Sequence, residues 1–422
     1  MALAELKLAA TQTRLTGMVM PEGLNDQRVD AMNRVITMGL PHKRDEYWKY
    51  TDPATLTQST PQTAALFHND EGALFADIDR VKIVFVDGVF DADASDDLTC
   101  EGVEIGRLAD VDGGWAADIY GTLEINGQLH VHRPLAALNT AFATDGVVIR
   151  ATAKAVKPIN IIYLHSDEAS DVMLHNLVRV EEGAEVTLLE TGPAAARFNK
   201  VLEVDVAKTG AFHHVRAQGR DHERRAITHC FARIADESLF KSFTLTANGV
   251  LTRNECIIDM VGDDAVAHVA GACVGDGADF HHDDTVFITH DGLNGESRQV
   301  FKKVLRNGAT GVFQGKILVK AGAQKTDGYQ ISQSLLLDDD SQFLAKPELE
   351  IYADDVACSH GSTSGAIDND ALFYLQSRGV PRKAATDLLT LAFLAEALDE
   401  IADDALADDL RDRLESWLGR RG

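Results

Sequence analysis

The sequence lacks the features of a membrane or nucleic-acid-binding protein. It contains no run of about 18 apolar residues, so no transmembrane helix is expected. The segment from Met1 to Leu8 carries charges inside its apolar stretch and predicts an amphipathic helix, not a signal peptide. Basic residues number 40 against 66 acidic ones, which gives a formal net charge of −26. This deficit of Lys and Arg argues against binding to nucleic acid or to an anionic membrane surface.

Cysteine is sparse, and nucleotide-binding motifs are missing. No two of the five cysteines form a Cys-x-x-Cys pair, and their odd number in a long chain predicts reduced thiols in a cytosolic protein. The segment from Gly311 to Ile317 resembles a P-loop, but its spacing is one residue short and no Ser or Thr follows Lys316. We therefore expect no nucleotide site on this chain.

A long central block of the sequence is rich in β-forming residues. Between about Val81 and Leu337, short runs of Val, Ile, Leu, Phe and Thr alternate with turn dipeptides such as Asn248-Gly249 and Asn307-Gly308. We expect this block to be all-β. No fixed period connects the runs, so a β-solenoid, a sandwich and a barrel all remain open from the pattern alone.

Helical patterns occur at both ends of the chain. Apolar residues between Leu24 and Met38 recur at helical spacing, and Gly39 then ends the helix. After Gly365, Asp368 is placed to cap a short helix, and a last amphipathic helix aligns four apolar residues on one stripe. Those four residues are Leu406, Leu410, Leu414 and Trp417. The chain of 422 residues, 45 % of them apolar, is therefore divided into an N-terminal helical region (1–80), a β core (81–350) and a junction with a C-terminal helical domain (351–422).

The junction segment from Tyr352 to Gly365 carries the clearest chemical signal. It places Cys358 two residues before His360, and in an extended backbone both side chains point to one face. A thiolate beside an imidazole suits iron, zinc or copper. Two residues cannot fill a site of about four ligands, so the others must come from elsewhere in the chain or from a second chain. The alternative is a buried cysteine and a hydrogen-bonded histidine that close the last β layer.

A second polar cluster runs from His281 to His290. Alternation along a strand predicts His282, Asp284 and His290 on one face. A self-contained metal enzyme on a β scaffold could use His281, His282 and His290. We favour the interpretation that this cluster is a polar solvent face on an exposed strand. The other paired histidines are interpreted as surface residues: His130, His132, His213 and His214.

Several segments carry a resemblance to a known family. They are 311–317, 323–330, 334–337, 346–361 and 372–380, together with 39–41 and 47–52 near the start. These segments resemble the SufB/SufD family, the scaffold proteins of the SUF system for iron–sulfur cluster assembly. Ser332-Gln-Ser334 stands where the SufB branch has a cysteine, and Ser359-His360-Gly361 lacks the glutamate of that branch. The chain is therefore similar to the SufD branch, which implies that it cannot assemble a cluster alone.

The resemblance implies a right-handed parallel β-helix flanked by N-terminal and C-terminal helical parts. It also implies a non-catalytic scaffold subunit in a complex with SufB and the SufC ATPase. The sequence leaves open whether the chain forms a homodimer when SufB is missing, which the open strand edges of a solenoid would allow. A nascent iron–sulfur cluster would be held transiently by His360 and Cys358 together with SufB. The C-terminal helical domain would dock SufC through Phe373, Tyr374, Arg378, Leu388 and Leu391. Whether a flavin associates, and where sulfur enters, is left open by the resemblance.

Overall fold

The computed structural model describes residues 3–66, 72–219 and 222–420, and its strands form two sheets, here called A and B. The strands are numbered along the chain and given in spatial order. Sheet A consists of β2 (Val89–Asp91), β1 (Val81–Val86), β6 (Ile159–Leu164), β8 (Glu185–Thr191), β10 (Ala211–Gln218), β12 (Leu239–Ala247), β14 (Val266–Asp276), β16 (Glu296–Arg306), β18 (Asp327–Leu336) and β20 (Ala357–Gly365). Sheet B consists of β19 (Gln342–Ile351), β17 (Thr310–Val319), β15 (His281–His290), β13 (Leu251–Met260), β11 (Arg225–Ile234), β9 (Arg197–Val206), β7 (Asp171–Val180), β5 (Val147–Ala151), β4 (Val103–Arg107) and β3 (Thr99–Cys100).

Helices flank this β core on both sides of the sequence, and three more interrupt it. They are α1 (Leu3–Leu15), α2 (Asn25–Met38), α3 (Ala54–Thr57), α4 (Gly114–Ile119), α5 (Thr122–Asn126), α6 (Pro134–Phe142), α7 (Asn369–Ser377), α8 (Arg382–Leu398) and α9 (Asp404–Arg420). Two 3₁₀ turns lie at Glu46–Trp48 and Leu108–Asp110. None of the described helices is long and apolar enough to cross a bilayer.

From β5 to β20, successive strands alternate between the two sheets, and neighbouring strands within each sheet pair in parallel, which defines a β-solenoid. One coil contributes one strand to each sheet, and the coil length varies. Asp171 pairs with Arg197, 26 positions along the chain, whereas Thr310 pairs with Gln342, 32 positions along. The prediction of a parallel β-helix flanked by helices is confirmed. The variable coil length explains why the sequence shows no fixed period.

Both faces of the central strands are buried, since helices cover the outsides of the sheets. The two inner faces enclose apolar clusters between the sheets, interrupted by buried polar networks such as the pair of Lys303 and Asp284. On the outside of sheet B, α2 and α6 pack against Met173, Ile227 and Leu251. On the outside of sheet A, α8 and α9 pack against residues that include Phe243 and Leu245. Strands buried on both faces read as continuous apolar runs without alternation.

The all-β expectation for residues 81–337 is wrong between Gly114 and Phe142, where α4, α5 and α6 lie. Every residue of α6 is buried. The helix therefore has no polar face, and its apolar residues do not recur at the helical spacing by which an amphipathic helix is predicted. Its position is fixed by amide hydrogen bonds to sheet B. Asn139 Nδ2 donates to the carbonyl oxygens of Leu174 and Asn199, at 3.1 and 2.8 Å, and Asn199 Nδ2 donates to Leu135 O at 2.8 Å.

The predicted terminal helices are confirmed with their boundaries. Helix α2 ends at Gly39, whose φ of 66° lies in the left-handed region that favours glycine. The Asp368 carboxylate accepts hydrogen bonds from the backbone N–H groups of Asp370 and Ala371 and so caps α7. Helix α8 buries Leu394 and Leu398 against sheet A, whereas Leu388 on the same helix is 51 % exposed.

The two ends of the solenoid differ. At the first coil, the antiparallel strands β2 and β4 pair with β1 and β5 and so end the parallel ladders. At the last coil, β19 and β20 are the terminal strands of sheets B and A. Each of them pairs with one strand only, and most of their residues are exposed or half-buried. This open end therefore presents backbone N–H and C=O groups to a partner.

Leu410 tests how strongly α9 stabilises the solenoid. Its side chain is fully buried in the cluster on sheet A. Leu410→Ala should lower the free energy of unfolding by about 2–5 kcal/mol, because it removes buried methyl groups and leaves a cavity. The control Leu388→Ala changes an exposed side chain and should stay within about 0.5 kcal/mol of the parent. Urea unfolding followed by circular dichroism measures both values. Equal effects of the two variants would contradict the packing described here.

Candidate site at the open end of the solenoid

Cys358 and His360 both lie on β20 and point toward the inside of the last coil. In register they stand over Gly328 and Gln330 of β18. Ile331 on β18 points outward, because it packs against the apolar cluster between sheet A and the helices α8 and α9. Since side chains alternate along a strand, the even-numbered residues of β18 and β20 face the interior. The sequence-based prediction of a shared face for the thiol and the imidazole agrees with this arrangement.

Cys358 is half-buried against the apolar residues of the last complete coil. It packs with a cluster that contains Ile317 and Val319. A glycine lies beneath it, and a Cβ on Gly328 would come within 3.2 Å of the Cys358 Sγ. Burial raises the pKa of the Cys358 thiol, although the backbone N–H of Gly328 opposes this effect. The free chain therefore favours the neutral thiol, and a metal would have to displace its proton.

His360 is exposed above a buried amide. Gln330, its register partner, is fully buried and donates from Nε2 to Gln299 Oε1 at 2.8 Å. The remaining acceptor, Gln330 Oε1, has no hydrogen-bond partner within the described residues. A buried amide oxygen without a donor is unusual and costs free energy. The layer below His360 therefore offers an acceptor that the isolated chain does not use.

The rest of β20 continues the same polar row. Ser332 donates to Ser362 at 3.1 Å and Ser334 donates to Ser364 at 3.0 Å, each pair joining two coils. The facing strand β19 contributes Phe343, which packs on the interior core. The open interior is thus apolar on the β19 side, and on the β20 side it carries one thiol, one imidazole and two hydroxyls.

The donor set of this end is incomplete for a metal. Cys358 and His360 supply two ligands, and a tetrahedral site needs about four. Across residues 3–66, 72–219 and 222–420, no group of three or more His, Cys, Asp or Glu side chains could hold a metal ion. A metal or cluster at the open end therefore needs ligands from another chain.

The histidines of β15 do not converge on one site. His282 is buried in the interior, where its Nδ1 lies 2.8 Å from Lys303 Nζ, and Lys303 also pairs with Asp284. Burial, followed by the charge of Lys303, lowers the pKa of His282 well below its usual value. His281 faces the other side of the strand, with Nε2 at 2.9 Å from Thr51 Oγ1. His282 is therefore occupied by a charged network and is separated by the sheet from His281.

His290 lies eight residues beyond His282, which corresponds to about 26 Å along a strand. It is buried and its Nε2 lies 2.8 Å from Ser297 Oγ. The interpretation of this strand as an exposed polar face is wrong, because helices and neighbouring coils cover both of its faces. The same reason corrects the surface assignment of His214, which is buried with its Nε2 at 3.2 Å from Glu190 Oε1. His130 and His132 are exposed as predicted.

Four of the five residues predicted to dock a partner lie on the surface of the C-terminal helices. Phe373 is 72 % exposed, Tyr374 is 55 % exposed and Leu388 is 51 % exposed. The Arg378 guanidinium stacks on the Tyr374 ring, 3.4 Å from its centroid. Leu391 differs from the others because it is half-buried against the cluster on sheet A. We call the exposed group Phe373, Tyr374, Arg378 and Leu388 the aromatic patch.

The sequence reading missed the residues beneath the predicted pair. Gly328 and Gln330 stand 30 positions before Cys358 and His360 and repeat their two-residue spacing. Both lie inside one of the segments that carry the family resemblance. A constant coil length would have shown that residues 30 positions apart lie on top of one another. Because the coil length varies, the sequence alone does not reveal which residues stack.

Comparison with known families gives two adjacent matches that span most of the chain. The family model described as SUF system FeS cluster assembly, SufBD core domain, matches residues 163–393. The model described as SufBD protein N-terminal region matches residues 6–161. The core-domain match includes the last coil, with Cys358 and His360, and helix α7.

Two individual relatives are similar over about nine tenths of this chain, and a third over about two thirds of it. The iron–sulfur cluster assembly protein SufD of Escherichia coli K12 is 26 % identical over 400 residues, which cover 91 % of this chain and 90 % of that protein. An iron–sulfur cluster assembly SufBD family protein of Synechocystis is 28 % identical over 420 residues, with 92 % and 90 % covered. SufD of Bacillus subtilis is 27 % identical over 288 residues, with 65 % of each chain covered.

His290 should make the stability of the fold depend on pH. Burial lowers its pKa from 6.5 to about 4, so below pH 6.5 the unfolded chain binds a proton more readily than the folded one. The stability contributed by neutral His290 is present above pH 6.5 and is lost as the pH falls toward 4, by about 3 kcal/mol. His290→Asn should flatten this part of the pH profile of urea unfolding, and the exposed control His132→Asn should leave it unchanged. Parallel profiles for His290→Asn and the parent would contradict the assignment.

Proposed function

This chain belongs to the SufBD family of SUF-system iron–sulfur cluster assembly proteins, and from that premise we propose that it is a SufD-like scaffold subunit of a SufBCD complex. In this proposal it holds one side of a nascent iron–sulfur cluster at an interface with SufB, while the SufC ATPase drives conformational change. The chain itself is not an enzyme, and ATP hydrolysis belongs to SufC. The place of action is the cytoplasm.

One observation carries the proposal: the only described coil with an unpaired parallel edge is the coil that bears Cys358 and His360. An exposed strand edge is normally blunted by charge, proline or a cover, and otherwise recruits another strand. Strand β19 carries Lys346, Pro347 and Glu348, whereas β20 has no proline and no acidic residue, Lys or Arg. A SufB solenoid that meets this end would therefore pair with β20 and bring its own side chains over the open interior. The coordination sphere would then be completed across the interface.

The chemistry of the open end suits a transient site. The Cys358 thiol has a raised pKa, so iron must compete with a proton, and a partner's positive charge or an iron ion would favour the thiolate. His360 is exposed and needs no rearrangement of this chain to reach a ligand. Two donors from each partner would hold a cluster that can still be released, because neither chain alone supplies a complete set.

The C-terminal helices are placed to transmit movement to the solenoid. Helix α8 packs across β14 and β16, where Lys302 pairs with Glu396 and its ammonium lies 4.6 Å from the centroid of the Phe393 ring. His268 Nδ1 lies 3.1 Å from a Glu400 oxygen at the end of this helix. We propose that SufC docks on the aromatic patch, and that its ATP-dependent movement reaches the open end through these contacts.

The open edges would also permit two copies of this chain to pair in the absence of SufB. In that homodimer the two open ends would meet, and each would contribute one thiol and one imidazole. Such a homodimer would be a resting state that assembles no cluster. It would lack the cysteine of the SufB branch, because this chain has Ser332-Gln-Ser334 at that place. A metal enzyme that uses His281, His282 and His290 is not supported by any contact among them.

His360 and Cys358 can be tested in the reconstituted complex with SufB and SufC. His360→Ala and Cys358→Ser should each lower the yield of assembled cluster at least about tenfold, because each removes a ligand. Iron and acid-labile sulfide per complex, with the absorbance of the cluster, measure the yield. Ser359→Ala is a matched control, since Ser359 is exposed on the opposite face of the same strand. If both ligand variants assemble clusters as the parent does, the chain is a structural platform and the proposed site is wrong.

The docking of SufC can be tested by substitutions in the aromatic patch. Phe373→Asp and Leu388→Asp should weaken SufC binding at least about tenfold, since each buries a charge in an apolar contact. Isothermal titration with purified SufC measures the affinity. Leu129→Asp introduces the same charge at an apolar residue that is 77 % exposed and lies far from α7 in sequence, so it should bind normally. Unchanged affinity of both patch variants would move the docking site elsewhere. Deletion of the C-terminal helices is a poorer test. It would also expose the apolar outside of sheet A, which α9 covers, and so could unfold the solenoid.

A further inference from the structure

Two cysteines in the middle of the solenoid face each other across neighbouring coils. Cys230 on β11 and Cys256 on β13 are direct register partners. Both side chains belong to the interior cluster between the sheets. Cys256 is buried and Cys230 is half-buried. Interaction with the Cys230 thiol, followed by burial, raises the pKa of Cys256 well above its usual value.

A small cavity with mixed polar and apolar lining lies beside this pair. Its volume is about 30 Å³, enough for one or two water molecules. Lys200 and Arg216 line it together with both cysteines. The Arg216 guanidinium donates to the hydroxyls of Thr228, at 2.8 Å, and Thr244, at 3.3 Å. The cavity therefore gives a small polar oxidant room beside both cysteines.

The spacing of the two residues fits a disulfide bond. Neighbouring strands in a sheet lie about 4.8 Å apart, and disulfides join Cα atoms that are about 4.4–6.8 Å apart. The remaining cysteines are not paired in this way. Cys273 lies on β14 in the other sheet, and Cys100 and Cys358 lie at opposite ends of the solenoid.

We propose that Cys230 and Cys256 form an oxidisable dithiol, which closes to a disulfide between adjacent coils when the protein meets a peroxide. This site is separate from the cluster site at the open end, and the proposal does not depend on the function given above. Its substrate class is a small hydroperoxide, and hydrogen peroxide, with two oxygen atoms, takes up about the space of the two water molecules that the cavity can hold.

The reaction proceeds in two steps that balance. The Cys230 sulfur, which is the more exposed, attacks one oxygen of hydrogen peroxide. The O–O bond breaks, hydroxide leaves and is protonated to water, and Cys230 becomes a sulfenic acid. The Cys256 thiol then gives up its proton as its sulfur attacks the Cys230 sulfur, the S–O bond breaks, and the second hydroxide takes up a proton and leaves as water. The two thiols lose two electrons and two protons in total, and the peroxide is reduced to two waters.

Peptide mapping of the purified full chain tests the proposal. The native protein is treated with hydrogen peroxide, free thiols are blocked with an alkylating reagent, and the chain is digested without reduction. Trypsin leaves Cys230 in peptide 226–233 but keeps Cys256 and Cys273 together in peptide 254–298, so a second cleavage before Asp259 or Asp263 is needed. The expected product is peptide 226–233 joined to the peptide that contains Cys256, with two hydrogen atoms fewer than the separate peptides.

Three variants act as controls. Cys256→Ser should leave Cys230 as a sulfenic acid that dimedone captures, whereas the parent should give at least about tenfold less adduct because Cys256 resolves it. Cys230→Ser should protect Cys256 from oxidation. Cys273→Ser removes a buried thiol without a paired neighbour and should give the same cross-link as the parent.

The wild-type map decides the question even if a variant fails to fold, and oxidation of the half-exposed Cys100 reports that the oxidant has acted. The proposal is overturned if Cys230 and Cys256 are both recovered as alkylated thiols when Cys100 is fully oxidised. It is also overturned if the two residues are oxidised to separate sulfinic acids, or if Cys230 is joined to a cysteine other than Cys256.

Discussion

The pairing of each coil with the next is the constraint on which the rest of this structure depends. A parallel strand satisfies its backbone N–H and C=O groups only when strands lie on both of its sides. The interior coils meet this condition, and the first coil ends in antiparallel strands. The last coil meets it on one side only. The chemistry of Cys358 and His360 is therefore tied to an edge whose hydrogen bonds another molecule must complete.

The helices that cover the outsides of the sheets determine the electrostatics of the strands. Residues that would face solvent in a bare solenoid become buried, and their charges must be paired. Glu255 on β13 is an example: burial opposes its ionisation, but ion pairs with Arg253 and Arg133 outweigh burial and lower its pKa to about 2. Ion pairs also satisfy the charges buried inside the solenoid, where Lys200 pairs with Glu190 and Lys303 with Asp284 across the two sheets. The polarity of these strands therefore reflects internal networks.

Local signals in the sequence were reliable where they depend on the chain's own neighbours. The Asp368 cap, the end of α2 at Gly39 and the buried stripe of α9 follow from interactions within a few residues. Signals failed where the environment is supplied by distant segments. Helix α6 is buried on all sides and has no polar face, and the His281–His290 strand is covered by layers that its own sequence does not indicate.

The sequence by itself determined the class of elements, the spacing of the thiol and imidazole on one strand face, and the family to which these segments correspond. Alternation along a strand and capping at helix ends are short-range effects, so a short stretch of sequence is sufficient to predict them. Only the tertiary structure decided that Cys358 and His360 lie on an open edge, that Gln330 lies beneath His360, and that Cys230 meets Cys256. Those relations join residues about one coil apart, and the coil length changes from 26 to 32 positions along the chain. Because the spacing between stacked residues is not constant, the sequence does not specify which residues meet. The packing of each coil on the next decides it.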